Sequence, residues 1–151
     1  LSCRTVAVDW WSESREVFAG IQAAEAAAIH RGYYAHFEDS IRQRLEWGAG
    51  LSESELASLR RRHLAFGEGM DDLLAAHEFL LLPSVPVHRL EAGADHTQMR
   101  PRLLRYTTPV SLAGMPAVTI PYLGMQLVAA REDDVRLLAL AARMQIKKGV
   151  Q

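Results

Sequence analysis

One cysteine, Cys3, stands in a chain of 151 residues, so no disulfide can form within it. That scarcity points to a reducing, cytoplasmic setting. Lysine is confined to Lys147 and Lys148 at the far C-terminus, where the charges suit the negative end of a helix rather than a catalytic base. Neither sign of charge prevails, since 17 basic and 18 acidic residues leave a formal charge of −1. Without a cationic field the chain has no global means of drawing in nucleic acid or anionic lipid. No apolar run approaches the roughly 18–20 residues that span a bilayer. Nucleophile and metal signatures are missing too. There is no Gly-x-Ser-x-Gly elbow and no His-Glu-x-x-His.

What is present is an ordinary globular composition, 49% hydrophobic and 23% charged. It argues against disorder and suffices for a single domain, residues 1–151, with a sizeable core. The opening residues, Leu1-Ser2-Cys3-Arg4, carry neither an initiator methionine nor a signal-peptide pattern. Thr5-Val6-Ala7-Val8 follows as a strand-like stretch over Leu1–Val8. A chain that opens inside a strand is expected to be a piece of a larger polypeptide.

Helical periodicity fills the first half. Ser12 or Ser14 is placed to cap a helix, with Glu13 and Glu16 in its first turn. Val17, Ile21, Ala24 and Ala28 give that helix an apolar stripe, and Gly32 ends or bends it. Tyr33 to Glu46 continues helically with Phe37, Ile41 and Leu45 on one face, until Gly48-Ala49-Gly50 breaks the pattern. Ser52-Glu53-Ser54-Glu55 has the form of a capping box. Leu56, Leu59, His63, Phe66, Met70, Leu73 and Leu74 then predict a long amphipathic helix to about His77.

The second half changes character. Residues 79–82 form an apolar run closed by Pro83, a short buried strand. Leu90 to Gln98 reads as a loop, and Pro109 as the opening of a short helical turn that Gly114 ends. Residues 117–120 and 125–128 predict two adjacent strands. Asp133 is placed to cap a last helix with Val135, Leu138, Ala141 and Met144, together with Leu137, on its buried face. The fold class is therefore α/β, a small sheet covered by helices.

Three stretches resemble the amidase-signature family of hydrolases. His77-Glu78-Phe79-Leu80-Leu81-Leu82-Pro83-Ser84-Val85-Pro86 is similar to its acidic-residue, apolar-strand, Pro-Thr-x-Pro segment, with Glu78 where aspartate is usual. Residues Thr107 to Pro121 resemble its Thr-x-Pro-x-Asn-Leu-Ala-Gly-x-Pro-Ala-x-Ser-x-Pro run, with Ser111 in place of the asparagine. Gly124-Met125-Gln126-Leu127-Val128, followed by Asp133 or Asp134, resembles its Gly-Leu-Gln-Leu strand and last helix. Ala24-Glu25-Ala26 and Arg42-x-Arg44-Leu45-x-x-Gly48 fit the helical region upstream. The family carries a longer loop where only Tyr122-Leu123 separates Pro121 from Gly124, so residues are expected to be missing between them.

The resemblance implies the C-terminal portion of a larger α/β/α sandwich whose intact enzyme hydrolyses amide carbon–nitrogen bonds. The Ser-Ser-Lys catalytic set belongs to the part this chain does not contain, so the chain alone is expected to be inactive. It would supply scaffold and one wall of the substrate pocket, through Leu104, Tyr106, Thr108 and Ser111. In glutamine-specific relatives a substrate-holding aspartate falls near Leu104, which implies that glutamine is not the substrate here. The implied partners are the N-terminal catalytic part and a small amide, with no metal and no cofactor. Apolar surface left without that part predicts a homodimer or an exposed patch.

Other readings compete for the same residues. A non-catalytic scaffold or interaction domain derived from the family is the alternative, and an unrelated helical binding module would require the Thr107–Pro121 match to be chance. His77, Glu78, His88 and His96 are near in sequence but show no tight metal-binding spacing. Arg60-Arg61-Arg62-His63 reads as a solvated helix face, and Trp10, Trp11 and Trp47 as core or interface anchors.

Overall fold

The computed structural model describes residues 3–86, 90–95, 97–120 and 123–146. Two compact units divide the chain, Leu1–Arg60 and Arg61–Gln151.

The first unit is helical. Residues 3–8 carry no strand, contrary to the expectation for Leu1–Val8; among the described residues no ladder partner takes their backbone groups, and a strand needs one. Trp11 N–H instead donates to Val8 O at 2.9 Å and opens a 3₁₀ turn, Asp9–Glu13. This turn runs straight into α1, Ser14–Ile29. Neither serine caps α1: its N-cap is Glu13, without a side-chain bond, and the Ser14 N–H is taken by Trp11 O. The 3₁₀ turn does the work expected of a cap.

Gly32, at φ 86°, stops the chain from continuing as helix. A second 3₁₀ turn, Tyr34–His36, follows, and α2, Asp39–Ala49, begins only after it. Tyr34 Oη donates to Ala27 O at 2.7 Å and ties this connection back to α1. Of the face expected from Phe37, Ile41 and Leu45, only Leu45 is buried.

α1 and α2 pack on one another through their smallest residues. The buried positions of α1 are Ser14, Val17, Gly20, Ala23 and Ala27, a face that keeps Val17 of the expected stripe but turns away from Ile21, Ala24 and Ala28. The reason lies at Gly48, where a Cβ would overlap the Ala23 carbonyl and come within 2.8 Å of Ala24 N. Backbone meets backbone there, so α1 must present small side chains. Gly20 makes similar room for Leu59, whose Cδ1 lies 2.6 Å from a Cβ built on it.

α3, Glu53–Ala75, starts as its sequence predicts. Ser52 N–H and Oγ donate to Glu55 Oε2 at 2.8 and 2.6 Å, and Glu55 N–H returns a bond to Ser52 Oγ at 3.3 Å. The Ser52 hydroxyl first, and its backbone N–H second, hold the Glu55 carboxyl below the usual glutamate range. Leu59, Phe66, Met70 and Leu74 are the buried members of the predicted stripe.

The second unit carries the sheet: β1, Leu80–Pro83; β2, Ala117–Ile120; and β3, Met125–Val128, in the order β1-β3-β2. Both pairings are antiparallel, with Leu81 and Val118 opposite Leu127 and with Leu82 and Thr119 opposite Gln126. The predicted strands thus exist and neighbour one another. The β2–β3 connection includes Pro121 and Tyr122, so the residues expected to be missing there lie outside the described ones.

α4, Arg100–Ala113, is longer than the turn expected after Pro109. Pro101 occupies its first turn, where a missing N–H costs nothing. Pro109 lies inside the helix and denies Arg105 O its usual donor, at about 3 kcal/mol. Burial of Thr108, Pro109, Val110, Leu112 and Ala113 offsets that cost.

α5, Asp134–Ile146, covers the sheet face that carries Leu127. Leu127, Ala129 and Leu137 form a cluster joined by Phe79, Val118 and Leu140. The expected face is corrected here, because Val135, Leu138 and Met144 are exposed. Leu137 and Ala141 of the expected face do turn inward, joined by Leu140, three and four residues apart. Asp133 does start this helix, its carbonyl accepting from Leu137 N–H at 2.9 Å. Lys147 and Lys148 lie outside the described residues. Among the described residues no helix is long and apolar enough to cross a membrane.

Two outcomes check these arguments. Gly48→Ala should destabilise the first unit by about 3 kcal/mol, the upper part of the usual overpacking range, because a carbonyl cannot move aside as a side chain can. Urea unfolding followed by tryptophan fluorescence reads this directly, since Trp10, Trp11 and Trp47 all belong to that unit. The capping box should also stabilise the start of α3 above the unfolded glutamate pKa and lose that contribution as pH falls through the lower folded value. NMR titration should find Glu55 below the usual glutamate range, and Ser52→Ala should return it upward.

Candidate functional site

The most specific motif, residues 107–121, forms a corner from α4 into β2. α4 must satisfy its last four carbonyls without helical partners. Gly114, at φ 67° and ψ 31°, adopts the left-handed conformation that reverses the chain. Its N–H donates to Ser111 O at 3.1 Å, and Met115 N–H donates to Val110 O at 3.1 Å. Together they make a Schellman motif, with Val110 and Met115 both buried beneath it.

The two remaining carbonyls are taken by side chains from elsewhere in the second unit. His63, on α3, approaches Leu112 O at 2.8 Å through Nε2. A carbonyl only accepts, so this nitrogen carries the proton. Arg131, in the turn after β3, donates to Ala113 O from Nε at 3.2 Å and from Nη2 at 3.0 Å. Its Nη1 also pairs with Asp71 on α3 at 2.9 Å. That guanidinium explains Gly67, in mid-helix: a Cβ there would sit 3.0 Å from Arg131 Nη2.

Gln126 supplies a third tie. It is buried on β3 and points to the sheet face opposite Leu127. Its Nε2 donates to Tyr106 O on α4 at 2.8 Å and to Pro83 O at the end of β1 at 3.1 Å. α4 therefore meets the sheet on the face opposite α5, which layers this unit as helix, sheet, helix.

All four proposed pocket residues fall on α4. Leu104, Thr108 and Ser111, at i, i+4 and i+7, share one face, while Tyr106 lies on the other side. Leu104 and Tyr106 are half-buried, Thr108 is buried and Ser111 exposed. Thr108 Oγ1 is buried without a hydrogen-bond partner. Ser111 ties no loops together; His63, Arg131 and Gln126 do so.

The remaining candidates have structural occupations. Glu78 pairs with Arg136, whose guanidinium also lies 5.2 Å from the Phe79 ring centroid. His77 Nδ1 donates to Leu73 O at 2.7 Å. His88 and His96 lie outside the described residues, among which no group of three metal-ligating side chains occurs. Arg60 and Arg61 are exposed and Arg62 is half-buried, while Trp10 and Trp47 are exposed. Sequence reasoning did not single out His63, Gln126 or Arg131 as functional. Each bonds to backbone carbonyls, which leave no mark in a sequence; Gln126 alone stood inside a recognised motif.

No family model matches the chain. In sequence it is similar to the glutamyl-tRNA(Gln) amidotransferase A subunit of Rickettsia bellii, strains OSU 85-389 and RML369-C. Each is 26% identical over 125 residues, covering 72% of this chain. The chain spans about a quarter of the length of these relatives, 25% in each case. Among solved structures, an amidase crystal structure superposes with a TM-score of 0.78 at 24% identity over 91% of this chain. An inhibitor-bound vestigial protein complex, described as revealing the origins of an s-triazine catabolic enzyme, gives 0.81 at 20% identity over 97%. In both cases 36% of the solved chain is covered. These likenesses establish the fold. The chain resembles the amidase-signature proteins in sequence and in its α/β architecture.

The corner yields a mutational test. Arg131→Met should cost about 1–3 kcal/mol, because it strands the buried end of α4. Asp71→Ala should cost under about 1 kcal/mol, since that ion pair is half exposed. Urea denaturation by circular dichroism compares them; equal losses would make the ion pair, not the carbonyl, the source of stability.

Proposed function

We propose that this chain is the C-terminal portion of an amidase-like hydrolase and contributes scaffold and one wall of its substrate pocket. The observation that carries the reading is the superposition of nearly the whole chain on about a third of an amidase, with a TM-score of 0.78. In this reading residues 1–151 form one continuous stretch of a larger α/β/α sandwich. The serine nucleophile and lysine base lie in the preceding, N-terminal part of the same polypeptide. A serine hydroxyl near its free pKa needs such a base, and the two lysines at the end of this chain are poorly placed to supply one. The chain by itself does not turn over amides, and no cofactor or metal takes part. The intact protein works in the cytoplasm, and apolar side chains such as Val135 and Leu138, exposed on α5, are the candidates for a dimer contact.

Within the pocket, Leu104, Thr108 and Ser111 offer one apolar contact and two hydroxyls from a single helix face, and Tyr106 contributes from the other side of α4. Leu104 selects an apolar amide over glutamine, since a hydrocarbon side chain cannot hold the substrate's ammonium group.

Ammonia release tests the assignment. The 151-residue chain should show no turnover of hexanamide, benzamide or glutamine, whereas a polypeptide extended upstream through the Ser-Ser-Lys segment should hydrolyse the apolar amides. In the extended protein, Leu104→Asp should move preference toward glutamine by about tenfold or more. Turnover by the short chain would overturn the division of labour. An extended protein that folds but hydrolyses nothing would favour a non-catalytic scaffold.

A further inference from the structure

The first unit contains a cavity of about 330 Å³ that the corner and its pocket do not use. It lies where α1, the Arg31–Tyr34 turn, the end of α2 and the start of α3 meet. Its origin is the small-residue seam already described. Gly48 brings α1 and α2 into backbone contact, and beyond that crossing Ala24, Ala28 and Ala49 are too short to fill the trough. Ile21, Leu51 and Leu56, all half-buried, give the cavity an apolar wall.

Its charges are unequal. Arg31 and Arg60 line it from two different segments, and Glu25 is the single acid among the lining residues. Neither guanidinium has a hydrogen bond or ion pair among the described residues. The Tyr34 hydroxyl, also in the lining, is already committed to Ala27 O. The cavity therefore combines two available cations with a hydrocarbon wall. Its volume lies at the small end of ligand pockets, about 300–1,000 Å³.

We propose that this cavity binds a short-chain apolar monocarboxylate, its carboxylate held by Arg31 and Arg60 and its hydrocarbon body against Ile21, Leu51 and Leu56. Arginine suits the task because its planar fork presents paired donors to a carboxylate. Glu25 disfavours a second acid group on the ligand, which selects mono- over dicarboxylates. The inference is independent of the amidase reading, since it involves none of the residues of the corner.

NMR titration of hexanoate into the 151-residue chain tests it. Saturable shifts should concentrate at Ala24, Ala28, Ala49 and Arg60. Arg60→Ala should weaken binding about tenfold or more, and Arg60→Lys by less, because the charge survives but the fork does not. Ala28→Phe should block the cavity while leaving the helical spectrum intact. Hexylammonium should not saturate, and 1-hexanol and acetate should each bind about tenfold more weakly than hexanoate. Equal binding of hexanol or acetate would reduce the cavity to a grease site or an anion site and overturn the proposal. So would an unaffected Arg60→Ala, the absence of saturation, or binding of an acidic peptide where hexanoate fails.

Discussion

The end of α4 is the constraint on which the second unit depends. A helix end leaves four carbonyls without helical partners, and each needs a donor. Here Gly114 and Met115 supply two from the backbone, His63 supplies one from α3, and Arg131 supplies the last from the turn after β3. The donors fix the direction in which the chain leaves α4, and that direction delivers Pro116 and β2 to the edge of β3. Ala129 N–H then donates to Pro116 O at 3.1 Å and extends the pairing beyond the strand ends. The turn that carries Arg131 holds Glu132 at φ 69°, a conformation that costs a non-glycine residue about 1–2 kcal/mol. Strain at that position is consistent with a guanidinium whose place is dictated from elsewhere.

The first unit follows a different rule. Its first two helices are held by close backbone approach, and the enabling residues are Ala23 and Gly48. Close approach at one level necessarily opens space at the next, because small side chains cannot follow the diverging surfaces. Packing and cavity are thus two outcomes of one sequence feature.

Legibility in the sequence divided along the same physical lines. Local chemistry could be read: the Ser52–Glu55 box, the Gly114 reversal, the β-branched run at Ala117–Ile120 and the short strand Met125–Val128 beside it each specify structure from a few neighbouring residues. Features set by distant partners could not. The face of α1 was misassigned because hydrophobicity favours Ile21, whereas the Gly48 contact demands Ala23. The face of α5 was only half read: Leu137 and Ala141 were placed correctly, but Val135, Leu138 and Met144 satisfy helical spacing as well as Leu140 does. Pro109 concealed most of α4, since a proline inside a helix is tolerated only through burial that no local pattern announces. At the candidate site, the Gly114 corner was readable from its motif, but the donors that brace α4, His63, Arg131 and Gln126, bind carbonyls and have no sequence signature.

The three-stranded sheet leaves β1 and β2 as its outer strands. In an antiparallel strand alternate residues turn their peptide groups to one side, so each four-residue edge offers two residues to an incoming chain. Proline narrows that grip further. Pro83 closes β1 without an N–H, and Pro116 and Pro121 stand on either side of β2. Any strand that joins this sheet is therefore limited to a brief handhold, long enough to guide a specific neighbour and too short to template indiscriminate stacking.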